Sequence, residues 1–203
     1  MNYFNNRRYV TYYFIGINLL IYFLNYLFPG LWIYLAVSPA GLLGHLFVWT
    51  PLTYMFTHVG FTHLLFNMIF LVSVGPVLEE RMGTKEFTAY YLISGALAGL
   101  FSVLAYFISG ANIPIIGASG ALYAAMLAFA VYYPRAYFQL FFILPIRAPV
   151  ALALFAGIDL ISHITGRGGN IAHLTHLSGL VFGFMYFVLR LKINPIREMK
   201  GWR

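Results

Sequence analysis

Charge all but disappears from six long stretches of this chain, at residues 10–28, 61–78, 87–108, 118–133, 148–164 and 171–191. Only 8% of residues are charged, where a soluble domain carries about 25%, so the chain lacks the polar surface to face water. At a helical rise of ~1.5 Å per residue each stretch reaches across a ~30 Å hydrocarbon core, 118–133 only at the margin. Within hydrocarbon every backbone N–H and C=O needs a partner in the protein, and no stretch alternates like a barrel strand. The segments are therefore expected to be helices. The expected fold is an all-α integral membrane protein, a compact six-transmembrane-helix bundle forming one domain over residues 1–203. The chain has no cysteine, which excludes disulfides, thiol catalysis and thiolate metal sites.

The net charge of +7 sorts by loop, which argues for topology and against a nucleic-acid surface. Arg7 and Arg8 precede the first span, Arg81 and Lys85 separate the second from the third, and Arg135 and Arg147 the fourth from the fifth. Arg190, Lys192, Arg197, Lys200 and Arg203 close the chain, and only Arg167 falls on the other side. This bias predicts both termini in the cytoplasm of a multi-pass protein of the cell inner (plasma) membrane. The lipid bilayer is then the first partner, and the basic tail is drawn to anionic lipid. Residues 1–28 lack a small-residue cleavage site, so the first span is expected to be retained. The uncharged segment 29–57 is broken by Pro39, Gly41, Gly44 and Pro51, and a seventh crossing there would turn the later basic loops outward. It is expected to lie as an interfacial loop between spans 1 and 2, with Trp32 and Trp49 as belt residues.

In this orientation spans 2, 4 and 6 start on the outer side, and their polar residues gather near those starts. Span 2 opens with His58, His63 and Asn67, span 4 with Gly117-Ala118-Ser119-Gly120, and span 6 with Asn170, His173 and His176. All six histidines, His45 and His163 included, fall on the outer half. Polar groups at that depth are costly and point to a water-filled functional cavity. Each residue also has a plain structural use. A serine between glycines caps or packs a helix, and His63 and Asn67, four residues apart, can hydrogen-bond between helices. Gly179 and Gly183 after His176 match a small-residue stripe of Gly120, Ala124 and Ala128. Packing the two stripes together would set Ser119 beside His176.

Nucleophilic acyl transfer is the chemistry such a set can perform. A serine hydroxyl needs a neighbouring base, which a neutral imidazole supplies near pH 7. The developing oxyanion needs donors, which the Ser119 N–H, His63 and Asn67 can provide. Asp159 is the only acid near the outer side and sits on span 5, so a Ser-His dyad is expected rather than a triad. Tyr123, one turn after Ser119, either packs against the imidazole or simply fills space.

Together these residues resemble the rhomboid family of intramembrane serine proteases. The resemblance rests on G-A-S-G at 117–120, H-x-x-x-N at His63 and Asn67, A-H-L-T-H-L-S-G-L-V-F-G at 172–183, and G-P-V-L-E-E-R-M-G at 75–83. It implies Ser119 as nucleophile in a supporting Gly117 turn, and His176 as the base, followed by Gly179. It also implies His63 and Asn67 as oxyanion donors, Tyr123 stacked on the base, and Glu79 with Arg81 as structural residues at the inner end of span 2. Where the family often has a Trp-Arg pair in the first loop, this chain has Trp49-Thr50. The activity implied is cleavage of single-span transmembrane protein substrates near the outer face, with no cofactor and no metal. Two other readings use the same residues. One is a catalytically silent rhomboid-like protein binding membrane clients, although such relatives typically lack the serine or the histidine. The other is a metal transporter or sensor using His173 and His176 with His58 or His63, although no polar path continues inward.

Overall fold

The computed structural model describes residues 9–140, 143–166 and 170–201. Its main helices are α1 (Val10–Leu27), α2 (Phe61–Met82), α3 (Thr84–Ile108), α4 (Ser119–Tyr132), α5 (Ala148–Thr165) and α6 (Asn170–Tyr186), the last extended by a π-helical turn at Phe187–Leu191. Arg7, Arg8, Arg167, Arg203 and the side chain of Asn170 lie outside what is described. Five helices, all but α4, are long and apolar enough to cross a membrane. Large apolar side chains such as Leu20, Phe66, Phe107, Ile161 and Val181 are exposed on them.

Helix α4 is the exception and the centre of the bundle. Its 14 residues rise only ~21 Å, short of a ~30 Å core. Two local features set its limits. Before it, Gly117 takes φ +108° and gives its N–H to the Tyr54 carbonyl at 2.9 Å, so the helix cannot extend outward. After it, Tyr133 precedes Pro134, which disfavours helical backbone. The residues between are mostly small, and Gly120, Ala121, Ala124, Ala125 and Ala128 are all buried, so neighbouring helices approach from every side. A Cβ on Gly179 of α6 would overlap the Gly120 carbonyl oxygen, and one on Gly183 would lie 3.1 Å from Ala124 Cα. The two stripes face each other.

The end of the bundle opposite Ser119 is tied by Glu79, which is buried on α2. Its carboxylate accepts from the N–H groups of Val10 and Thr11 at 2.8 and 3.1 Å, from Thr11 Oγ1 at 3.0 Å and from Thr84 Oγ1 at 2.8 Å. Those donors include the orphan N–H groups at the start of α1, where a carboxylate also meets the positive end of the helix dipole. Arg81 does not join it. Its guanidinium sits 5.1 Å above the Tyr132 ring and so ties the end of α2 to the end of α4.

The segment between α1 and α2 breaks into short helical pieces, as its prolines and glycines require. Trp49 Nε1 donates to the Tyr34 carbonyl at 2.8 Å, Thr53 Oγ1 to the Leu35 carbonyl at 2.8 Å, and Thr50 Oγ1 to the Phe47 carbonyl at 2.7 Å. Val37 and Ile115 exchange backbone hydrogen bonds, which fastens this loop to the approach to Ser119. One element departs from an all-α chain. Residues Tyr137–Leu140 (β1) and Leu144–Arg147 (β2) form an antiparallel hairpin between α4 and α5. Phe138 seats it against Phe70 and Phe129, and four-residue strands are too short to register as alternation in the sequence.

Candidate active site

Ser119 is the first residue of α4 and is half-buried against α6. His176 Nε2 lies 2.8 Å from Ser119 Oγ, hydrogen-bond distance for a hydroxyl and an imidazole. The Tyr123 ring stacks on the His176 ring, with centroids 4.4 Å apart and planes at 13°. Because α4 residues 119 and 123 lie one turn apart, the helix presents the hydroxyl and the ring to the same imidazole. The close approach at Gly179, three residues after His176, sets the distance between the two helices.

The Gly117 turn is required twice over. Its positive φ favours glycine, and a Cβ there would come within 2.5 Å of His63 Cε1 and 2.7 Å of Nε2. The His63 ring therefore lies directly over the backbone that leads into Ser119. Asn67 is buried on the next turn of α2, and its amide donates to the His63 carbonyl at 2.7 Å, leaving a second amide hydrogen for another acceptor.

His58 is fully buried beneath these groups and accepts from the Ala118 N–H at 3.4 Å. It stacks edge-on to His63 at 4.8 Å. Burial, and secondarily His63, push its imidazole down to about 3. The unfolded chain protonates such a ring near the usual value of about 6.5, so below that pH the unfolded state binds more protons than the folded one. Stability is thus full above about pH 6.5 and falls as pH drops toward 3. Thermal melts of the solubilised protein are expected to show this decline, and His58→Asn to flatten it across that window.

The separation of Asp159 from the imidazoles, expected because it stands on span 5, does not hold in the structure. A carboxylate does reach the imidazole pair, because α5 packs beside α6 and carries Asp159 to both rings. Asp159 is buried, with Oδ1 at 2.5 Å from His173 Nδ1 and Oδ2 at 3.1 Å from His176 Nδ1. The signal was present in the sequence, since an isolated acid within an apolar span needs a partner. Asp159, His173 and His176 also hold their ligand-type atoms within 4.8 Å of one another, the geometry from which a metal site can be built. Not all the histidines converge. His45 is exposed and stacks on Phe47 in the loop, and His163 lies in the last turn of α5, four residues after Asp159.

The family model for the rhomboid domain matches residues 45–193. The chain belongs to the rhomboid family. It is 31% identical over 137 residues to the candidate rhomboid protease YdcA of Bacillus subtilis, covering 68% of this chain and 64% of that one. It is 31% identical over 134 residues to Rhomboid protein 1, mitochondrial, of Saccharomyces cerevisiae, covering 64% of this chain and 38% of the relative. It is 30% identical over 142 residues to Rhomboid protease GlpG of Yersinia pestis, covering 70% of this chain and 48% of the relative. The match thus spans between about a third and two-thirds of these relatives' own lengths. Family membership and the five apolar helices make this rhomboid a multi-pass membrane protein.

Proposed function

We propose that this rhomboid is an intramembrane serine endopeptidase that cleaves transmembrane segments of other membrane proteins. The observation that carries the reading is the 2.8 Å approach of His176 Nε2 to Ser119 Oγ at the recessed start of α4. In this reading Ser119 attacks the scissile carbonyl while His176 takes its proton and later returns it to the leaving amine. Stacking on Tyr123 keeps the imidazole in plane with the hydroxyl. The oxyanion is met by the Ser119 N–H, a first-turn group with no helical partner, and by His63 and the second amide hydrogen of Asn67.

The basic loops support an orientation with both termini cytoplasmic. Arg81 reaches Tyr132 and Arg190 pairs with Glu86, so the ends of α2, α4 and α6 share one face with the start of α3. With α4 completing a six-span single domain in the plasma membrane, its ~21 Å rise leaves Ser119 roughly 9 Å below the outer face. Single-span helices with small residues at the cut and helix-weakening residues below it fit this depth. A helical peptide bond is shielded and must unwind to present its carbonyl.

The test is covalent labelling of detergent-solubilised protein by a fluorophosphonate probe. Wild type is expected to label, and Ser119→Ala and His176→Ala to lose the reaction by roughly 10³-fold or more. A folded wild type that does not label, with the probe shown to reach the cavity, would favour a silent client-binding protein.

A further inference from the structure

We propose that Asp159 is a positioning residue that holds His176 in the tautomer and orientation needed to activate Ser119, and that His173 in turn holds Asp159. The inference rests on the serine-protease reading above and adds a third member to the expected dyad. Asp159 is 5% exposed on a helix whose described outer half carries no other acid. An ionised carboxylate at such a place is expensive unless charge and hydrogen bonds compensate it. Here the donors converge from two helices. His173 and His176, three residues apart on α6, each point Nδ1 at one carboxylate oxygen, at 2.5 and 3.1 Å. The Tyr123 phenol of α4 is turned toward the same carboxylate. His63 of α2 also lies in the field of His176.

These contacts assign the protons. An ionised carboxylate only accepts, so both Nδ1 atoms carry hydrogen. His176 Nε2 is then left with its lone pair facing the Ser119 hydroxyl. When Ser119 Oγ forms its bond to the substrate carbonyl carbon, its proton moves to Nε2 and the ring becomes a cation. The Nδ1 proton stays on Nδ1, and Asp159 Oδ2, unchanged in charge, stabilises that cation. As the C–N bond breaks, the Nε2 proton passes to the leaving amine. A fixed anion beside the developing cation acts more strongly at membrane depth than in water. The pairing of His173 with Oδ1 keeps the carboxylate from turning away from His176.

Asp159→Asn is the test, because it keeps the shape and removes the charge. Its amide can donate to His176 Nδ1, which moves the ring proton to Nε2 and turns the base away from its task. The rate constant of fluorophosphonate labelling and kcat on a membrane-protein substrate are expected to fall together by about 100-fold or more, with KM within about two-fold. His173→Phe, which removes the donor to Oδ1, is expected to fall between wild type and Asp159→Asn with KM unchanged. A folded Asp159→Asn protein labelling on Ser119 at the wild-type rate would overturn the inference and leave the protease reading standing. Should Asp159→Asn not fold, His173→Phe decides: a slowed rate supports the inference and a wild-type rate overturns it. A wild type that never labels overturns both.

Discussion

Gly179→Ala is expected to remove nearly all of the serine reactivity proposed for this rhomboid, along with part of its stability. The added Cβ would overlap the Gly120 carbonyl oxygen, which belongs to the helix backbone and cannot rotate aside. Helices α4 and α6 must separate or slide. Forcing even one methyl into a packed interface costs about 1–3 kcal/mol, and here the obstacle is backbone. The larger consequence is functional, because the same two helices carry Ser119 and His176. A displacement of ~1 Å at a reacting pair lowers turnover by about 10²-fold. The labelling rate and kcat are therefore expected to fall at least that far, while the variant still enters the membrane. A variant that reacts at the wild-type rate would show that the helix contact does not set the pair. Gly16, which faces open space, is the control: Gly16→Ala is expected to leave both quantities unchanged.

Glu79→Ala is expected to give the opposite pattern, a large loss of stability with activity per folded molecule retained. One buried carboxylate serves four donors, and Thr11 is fully buried beside it. Removing it leaves the Val10 and Thr11 N–H groups without an acceptor, at about 1–3 kcal/mol for each buried group. A total of about 3 kcal/mol or more is expected, read as a lower denaturation midpoint in detergent. Glu79 lies twelve residues from Asn67, or ~18 Å along α2, so the geometry at Ser119 is not reached. Unchanged stability would show that water replaces the carboxylate at that end of the bundle. Glu79→Gln keeps one acceptor oxygen and should fall between.

Much of the molecule is legible one segment at a time. The absence of charge, the length of the apolar runs and the sorting of Arg and Lys between loops are local quantities. They identify where the helices lie to within a few residues. Spacing within one helix is local too. Gly179 and Gly183 four apart, Ser119 and Tyr123 four apart, and His63 with Asn67 each announce a shared face before any partner is known. The pairing of Ser119 with His176 follows because two small-residue stripes admit one close packing.

What escaped the sequence depends on which helices become neighbours and at what height. The height of Ser119 depends on a backbone bond from Gly117 to Tyr54, a residue of the loop before α2, which sets the start of α4. Arg81, expected with Glu79 as a structural residue, stands two positions on, where side chains of a helix point apart, and it meets the Tyr132 ring. Asp159 looked remote from the imidazoles because it stands on a different span. Only the packing of α5 against α6 brings its two oxygens to His173 and His176. By itself the sequence determined that the chain is a helical membrane protein and which residues share a helix face. Side-chain chemistry across helices acts through space over a few ångströms, so only the tertiary structure decided which carboxylate, ring and hydroxyl meet.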